Sequence, residues 1–263
     1  MKSRKFILAL MFAAAAAGWG QSACADTLDD IIKRGKLLVA VDVSAPPFGI
    51  QNEKMQPDGA DVDVARLLAK DLGIELEVVP VTSANRIPYL QTKRVDLTMS
   101  TFSITPERAK AVNFSTPYGA INAVIFAPKS IDIREPKDLV GKKVGVTRGT
   151  TNEADLVALA PEGTQIIRFD DEASTMAALV SGQVDAYASG ETIARSLIPR
   201  YPDKNFESKF VMRRSFYGAG IRRGEPDLLH WVNTAIWFHN NNGDLARIYE
   251  RWVGVPLPAL PPL

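Results

Sequence analysis

The sequence predicts an α/β fold of two lobes, one inserted into the other. Two observations carry this expectation. Short β-rich runs alternate with helically spaced segments along the chain, and the alternation restarts twice, after Pro117-Tyr118-Gly119 and again near 212–216. A middle lobe joined to an outer one by two strands leaves a cleft between them, a geometry suited to hinge closure on a small molecule.

Residues 1–25 read as an export address rather than as part of the fold. Lys2, Arg4 and Lys5 precede an apolar run over 6–17 that is too short to span a bilayer, and Ala23 and Ala25 stand in the A-x-A arrangement of a signal-peptidase site. Cleavage is expected after Ala25, which starts the mature chain at Asp26 and makes the protein periplasmic. Cys24 is the only cysteine. Its alternative use, a lipid-anchored N-terminus, has Gln21 where such sites usually carry Leu. Cleavage after Ala25 leaves no thiol, and with it go disulfides, cysteine nucleophiles and thiolate metal sites.

Removing three basic and no acidic side chains from totals of 31 and 30 leaves 28 against 30, a net charge of −2 on the 238 mature residues. That balance does not suit nucleic acid. No second long apolar segment follows, which argues against a membrane span.

In the first lobe, expected over 26–117, strands are predicted at 37–41, 74–79 and 95–99. Between the first two, Val64, Leu67, Leu68 and Leu72 share one face of a helix over 61–72, Asp63, Arg66 and Lys70 point elsewhere, and Gly73 stops it. The second lobe, over 118–213, repeats the grammar with strands at 123–126, 144–146 and 166–169 and helices from about Glu153 and Asp171. The return to the first lobe, over 214–263, supplies a strand at 218–221, helices over 227–240 and 244–252 separated by Asn241-Asn242-Gly243, and an extended proline-rich tail over 256–263.

Three constellations carry chemistry. The run Ser100-Thr101-Phe102-Ser103-Ile104-Thr105-Pro106-Glu107-Arg108 follows a strand and opens a helix, with Thr105 placed as N-cap and Pro106 as first helical residue. Hydroxyls at 100, 101 and 103, unpaired N–H groups and the Arg108 guanidinium would together hold a carboxylate. The bland alternative is a capped helix with a solvated arginine. A second turn of this type, Thr147-Arg148-Gly149-Thr150-Thr151-Asn152, lies in the other lobe; an ordinary strand-to-helix loop is its alternative. The third feature is Arg86 in Ser83-Ala84-Asn85-Arg86-Ile87-Pro88, which alone reads as a surface ion-pair partner.

These motifs, in order, resemble the periplasmic polar-amino-acid-binding proteins of ATP-binding-cassette uptake systems, solute-binding protein family 3. The likeness runs from Leu37-Leu38-Val39 through Gly59-Ala60-Asp61-Val62-Asp63, the segments 104–110, 114–118 and 145–151, to 243–249. It implies the type II binding-protein fold: two lobes, each a sheet flanked by helices, joined by two hinge strands. It implies that Thr101, Ser103 and Arg108 hold a ligand α-carboxylate and that Thr151 closes on it from the second lobe. The segment 82–88 looks like the glutamate/aspartate-binding branch, in which the arginine matching Arg86 pairs with the ligand side-chain carboxylate.

Gly190, in Ser189-Gly190-Glu191, stands where many relatives carry the Asp that receives the ligand ammonium. Either Glu191 substitutes, or the ligand has no α-amino group. Ala45 and Ser83 stand where relatives for cationic or aromatic ligands place stacking rings, and Arg148 adds a guanidinium to Arg86 and Arg108. Three guanidiniums against one candidate acid predict a ligand with at least two negative charges, an acidic amino acid or a related dicarboxylate.

The resemblance further implies a monomer that delivers its ligand to a permease and, through it, to ATPase subunits, with no cofactor and no catalysis. A cyclohexadienyl-type dehydratase on the same fold, with Glu191 as general acid, is the enzymatic rival. A sensor that signals to a membrane receptor is the other. His230 and His239 both fall in the late helical region, away from any recognisable nucleophile.

Overall fold

The computed structural model describes residues 27–262. The expectations for 1–25, with Cys24 and the cleavage point, lie outside the described residues. The chain opens with helix α1 (Thr27–Arg34), which buries Ile31, and strand β1 (Lys36–Val41), followed by the two-residue strands β2 (Ile50–Gln51) and β3 (Pro57–Asp58). Helix α2 (Ala60–Asp71) leads to β4 (Glu75–Pro80), α3 (Arg86–Gln91), β5 (Leu97–Thr98) and the four-residue α4 (Pro106–Ala109). The long strand β6 (Val112–Pro128) then carries the chain into β7 (Lys143–Thr147), α5 (Thr151–Leu159), β8 (Gln165–Phe169), α6 (Glu172–Ser181), β9 (Ala186–Gly190) and α7 (Glu191–Arg195). A second long strand, β10 (Phe206–Arg222), brings it back to α8 (Pro226–Asn241) and α9 (Asp244–Val253).

One eight-stranded sheet has the order β4-β1-β5-β10-β6-β9-β7-β8. Its two ends mirror each other in pairing. β1 runs parallel to β4 and β5, and β7 runs parallel to β8 and β9. The 17-residue strands β6 and β10 pair antiparallel in the middle, β10 also pairing β5 through Gly220 and Ile221 and β6 pairing β9 through 123–126. The α/β architecture read from the sequence is therefore borne out.

Helix α2 buries Ala60, Asp61, Val62, Val64, Ala65, Leu68 and Ala69, while Leu67 and Leu72 are only half-buried. The inward face is turned from the one the leucine spacing suggests, because small alanines let the helix lie close on the sheet. Strand β10 is also longer than the strand expected at 218–221. Register shifts at 208/210, 211/213, 217/218 and 218/220 break its alternation, so a period-2 reading sees only the last segment. Arg86, which taken alone reads as a surface ion-pair partner, is instead buried and opens the short helix α3, and Gly190 ends a strand.

Tyr217 lies across the paired strands, 1% exposed, edge-on to Phe48 and Tyr118 at 5.7 and 4.9 Å between centroids. It faces Gly119 in the register of the pair, and a Cβ on Gly119 would lie 2.1 Å from its Oη. The ring has no free side to move into. Gly119→Ala is therefore expected to destabilise the fold by about 1–3 kcal/mol through overpacking, read as a lower denaturant midpoint at unchanged slope.

Candidate functional site

The cleft is built at the carboxyl ends of the parallel strands, the usual ligand position in such sheets. From one side, β1 runs into Asp42, β4 leads to Ser83 and Arg86, and β5 leads to Ser100, Thr101, Ser103 and Arg108. From the other, β7 leads to Thr150, Thr151 and Asn152, β8 to Glu172, and β9 ends in Gly190. Ala45, Ile121, Ala123, Ile193 and Ser215 complete the lining.

In the first turn Thr105 caps α4 by accepting from the Arg108 N–H at 3.2 Å. A helix of four residues has little dipole, so the affinity of this turn for an anion rests on Arg108 and the hydroxyls. Thr101 has φ +44°, a left-handed conformation that is costly for a β-branched residue. The buried Asp61 holds it there: Oδ2 accepts from the Thr101 N–H at 2.7 Å and Oδ1 from the Tyr118 hydroxyl at 2.9 Å. Burial pushes the Asp61 carboxyl up to about 7, against the pull of those two hydrogen bonds.

Arg86 and Arg108 lie over the same Phe102 ring, with Cζ 5.1 and 4.6 Å from its centroid. Arg86 donates to the carbonyls of Ser83 at 3.0 Å and Ser100 at 2.9 Å, and Arg108 to that of Ser103 at 3.0 Å. Both also reach across the cleft to one acceptor, the Gly149 carbonyl, at 3.4 and 2.9 Å. Burial, then repulsion by Arg86 and Arg213, pulls the Arg108 guanidinium below its usual range, a cost that a bound carboxylate would offset. Thr151 adds a second bridge, donating to the Ser103 hydroxyl at 3.4 Å.

The sequence-nominated residues Ser83, Arg86, Thr101, Ser103, Arg108 and Thr151 therefore come together. Arg148 and Glu191 do not join them. The Arg148 side chain, 52% exposed, pairs with Asp170 at 3.2 Å, and Glu191 accepts from Asn122 at 3.0 Å and Ser208 at 3.1 Å. Two acids that sequence reasoning missed line the cleft instead. Asp42 accepts from the Ser44 N–H at 3.0 Å, the Ser44 hydroxyl at 2.6 Å and the Ser83 hydroxyl at 3.4 Å. Glu172, 3% exposed, accepts from the Tyr187 hydroxyl and from Ser189 at 3.4 Å. Burial, reinforced by Asp42, pushes its carboxyl up to about 8 against Thr147, Arg86 and Ser189, which favour the anion. A usable signal existed, because each acid comes one to three residues after an expected strand, 37–41 and 166–169.

These placements correct the charge argument: three guanidiniums against one acid become two against two. Gly190 is buried, and a Cβ there would lie 2.3 Å from the Ile121 Cδ1, so that wall is apolar. Neither histidine lines the cleft: His230 is exposed, and His239 sits between Asp244 at 2.6 Å and Asp71 at 2.8 Å.

The family described as bacterial extracellular solute-binding proteins, family 3, matches residues 37–255. The L-cystine-binding protein TcyJ of Escherichia coli (strain K12) is 31% identical over 255 residues, covering 95% of this chain and 96% of its own. Among solved structures, an ancestral arginine-binding protein bound to arginine superposes with a TM-score of 0.80 at 33% identity, over 83% of this chain and 98% of that one. The ancestral amino acid-binding protein AncCDT-1, a precursor of cyclohexadienyl dehydratase, gives 0.80 at 35% identity, over 86% and 99%.

Two predictions follow from the geometry. Glu172 and Asp61 hold protons in the folded state up to about 8 and 7, against ordinary values of 4.5 and 3.8. The folded chain thus binds more protons than the unfolded one between roughly pH 4 and 8, so the stability from these groups is full at the acid end and lost as pH rises through that window. Denaturant midpoints of the unliganded protein should fall from pH 5 to pH 8, and Glu172→Gln should flatten part of that slope. Gly149 has φ +72°, and a Cβ on it would lie 2.7 Å from the Ala84 Cα across the cleft. Gly149→Ala should cost about 1 kcal/mol of stability while holding the cleft open, seen as a larger radius of gyration by small-angle scattering under conditions that shut the wild type.

Proposed function

This chain belongs to the bacterial extracellular solute-binding proteins, family 3, and on that footing we propose that it is the exported binding component of an ATP-binding-cassette importer, closing its cleft on a small amino acid. One lobe comprises 26–117 and 214–263, the other 118–213, and β6 and β10 form the hinge between them. The mature protein works in the periplasm after removal of 1–25. Among the described residues no helix is long and apolar enough to cross a membrane; a separate permease and its ATPase take delivery of the ligand.

The observation that carries the reading is the charge pattern of the cleft. Arg108, Thr101 and Ser103 offer a carboxylate site on one lobe, Thr151 approaches it from the other, and Asp42 and Glu172 supply acids in the same cavity. Two guanidiniums and two carboxyl groups complement a zwitterion, whereas a dianion would leave Asp42 facing like charge. Relatives named for cystine and arginine, each carrying an α-carboxylate and an α-ammonium, support the amino-acid class. The acidic preference then rests on Arg86 alone, whose donors already face the carbonyls of Ser83, Ser100 and Gly149. The dehydratase alternative loses Glu191 as its acid, because that side chain is turned to Asn122 and Ser208.

Closure is favourable only if the ligand binds the shut state better than the open one. Bonds from Thr151 and from the second-lobe acid exist only in the shut state, and the permease would read that shape. A thermal-shift panel of L-cysteine, L-glutamine, L-arginine, L-glutamate, L-aspartate and amine-free glutarate tests the class, with about 2.7 kcal/mol of stabilisation expected at 100 times the dissociation constant. A neutral amino acid should stabilise most; a response to glutarate alone would overturn the reading. Arg108→Ala should weaken every ligand by about thirtyfold or more. Arg86→Ala should weaken glutamate and glutamine alike, and a loss confined to glutamate and aspartate would restore the acidic preference.

A further inference from the structure

A ligand that presents its carboxylate to Arg108 must place its ammonium against an acid elsewhere in the cleft. The apolar wall at Gly190 offers none, since the Ile121 side chain fills the space a longer residue would need. Among the described residues lining the cleft, the carboxyl groups are those of Asp42 and Glu172. Asp42 is engaged on both oxygens within its own lobe, by Ser44 and Ser83. Glu172 differs in three ways. It stands on the opposite lobe from the carboxylate site, it opens helix α6 directly after the turn that follows β8, and the hydroxyls that hold it, Tyr187 and Ser189 of β9 and Thr147 of β7, all belong to that second lobe.

We infer that Glu172 is the second-lobe acceptor for the ligand's ammonium group and that it gives up its own proton when the ligand enters. The inference rests on the amino-acid reading above and names the residue that enforces it. In the empty cleft the carboxyl group is neutral at pH 7, because burial and the nearby Asp42 outweigh Arg86, Thr147 and Ser189. An arriving ammonium favours the anion. The Glu172 O–H bond breaks, the proton passes to solvent buffer, and the carboxylate pairs with the ligand cation, so charge and atoms balance. The ion pair spans from ligand to second lobe while the ligand carboxylate is held by the first, which ties it to closure. An amine-free acid of the same length gains nothing from this step.

The groups that face Glu172 are Tyr187 and Ser189 from β9, Thr147 from β7, Asp42 beyond β1 and Arg86 from α3. Asp61 also titrates near neutrality, but it is bonded to Thr101 and Tyr118. Comparing wild type with Glu172→Gln separates the two. The substitution mimics the neutral carboxyl group and keeps an acceptor for Tyr187, so the fold should tolerate it.

The test is calorimetric titration of the full mature chain with L-cysteine, L-glutamine, L-arginine, L-glutamate and glutarate, at pH 6, 7 and 8, in two buffers of different ionisation heat. The wild type should release nearly one proton per amino acid bound at pH 7, and its affinity should rise about tenfold from pH 6 to 7 and less from 7 to 8. Glu172→Gln should release none, lose the pH dependence and bind amino acids at least about thirtyfold more weakly. Amino-acid binding without proton release, at an affinity Glu172→Gln shares, would overturn the inference and leave the proposed ligand class standing. Binding of glutarate and of no amino acid would overturn that class and the inference together. Should the variant not fold, the wild type decides through its ligands: Glu172 gives up its proton to an amino acid and not to amine-free glutarate, whereas Asp61, bonded to Thr101 beside the carboxylate site, would respond alike to both, so equal proton release with glutarate would overturn the inference.

Discussion

The antiparallel pairing of β6 with β10 is the constraint on which the rest of the molecule depends. These two 17-residue strands connect both ends of the sheet, β5 attaching near the end of β10 and β9 through the last third of β6. Register shifts on either side of Gly218 fall where the pair passes from one end to the other. Close approach there requires a missing side chain: a Cβ on Gly218 would lie 2.8 Å from the Ser115 carbonyl oxygen. Since parallel strands attach on both flanks of this pair, their carboxyl ends converge on a single cleft.

Electrostatics in that cleft is governed by burial more than by net charge. Arg86, Asp42 and Glu172 are each under 5% exposed, so every ionised form there needs a partner. The two guanidiniums find theirs in backbone carbonyls and the face of Phe102, and they share the Gly149 carbonyl across the cleft. Glu172 meets the same demand by retaining its proton. On the proposed reading a zwitterion would satisfy both arrangements at once, offering a carboxylate to Arg108 and a cation to the acids. Such a ligand would give closure a physical cause, because on the proposed division its partners come from opposite lobes.

Much of this was legible in advance, and the failures share a form. The strand-to-helix turns at 100–108 and 147–152 declared themselves through hydroxyls, an N-cap and a proline within a few residues, which is local chemistry. Strand β10 was recognised only in its last segment because bulges reset its alternation. Arg148 and Glu191 were nominated for charge and for position in a motif, yet side-chain direction sends one to Asp170 and the other to Asn122 and Ser208. Asp42 and Glu172 escaped notice because a single acid after a strand is common and nothing adjacent in sequence reveals that it is buried.

By itself the sequence determined the alternation of strands and helices, its two restarts, and the strand-to-helix turns rich in hydroxyls and arginine, all of which are encoded within windows of a few residues. Only the tertiary structure decided which charged side chains share the cleft. That depends on the carboxyl ends of strands distant in the chain meeting across one gap, where the direction and burial of each side chain, rather than its charge, select the ligand it can serve.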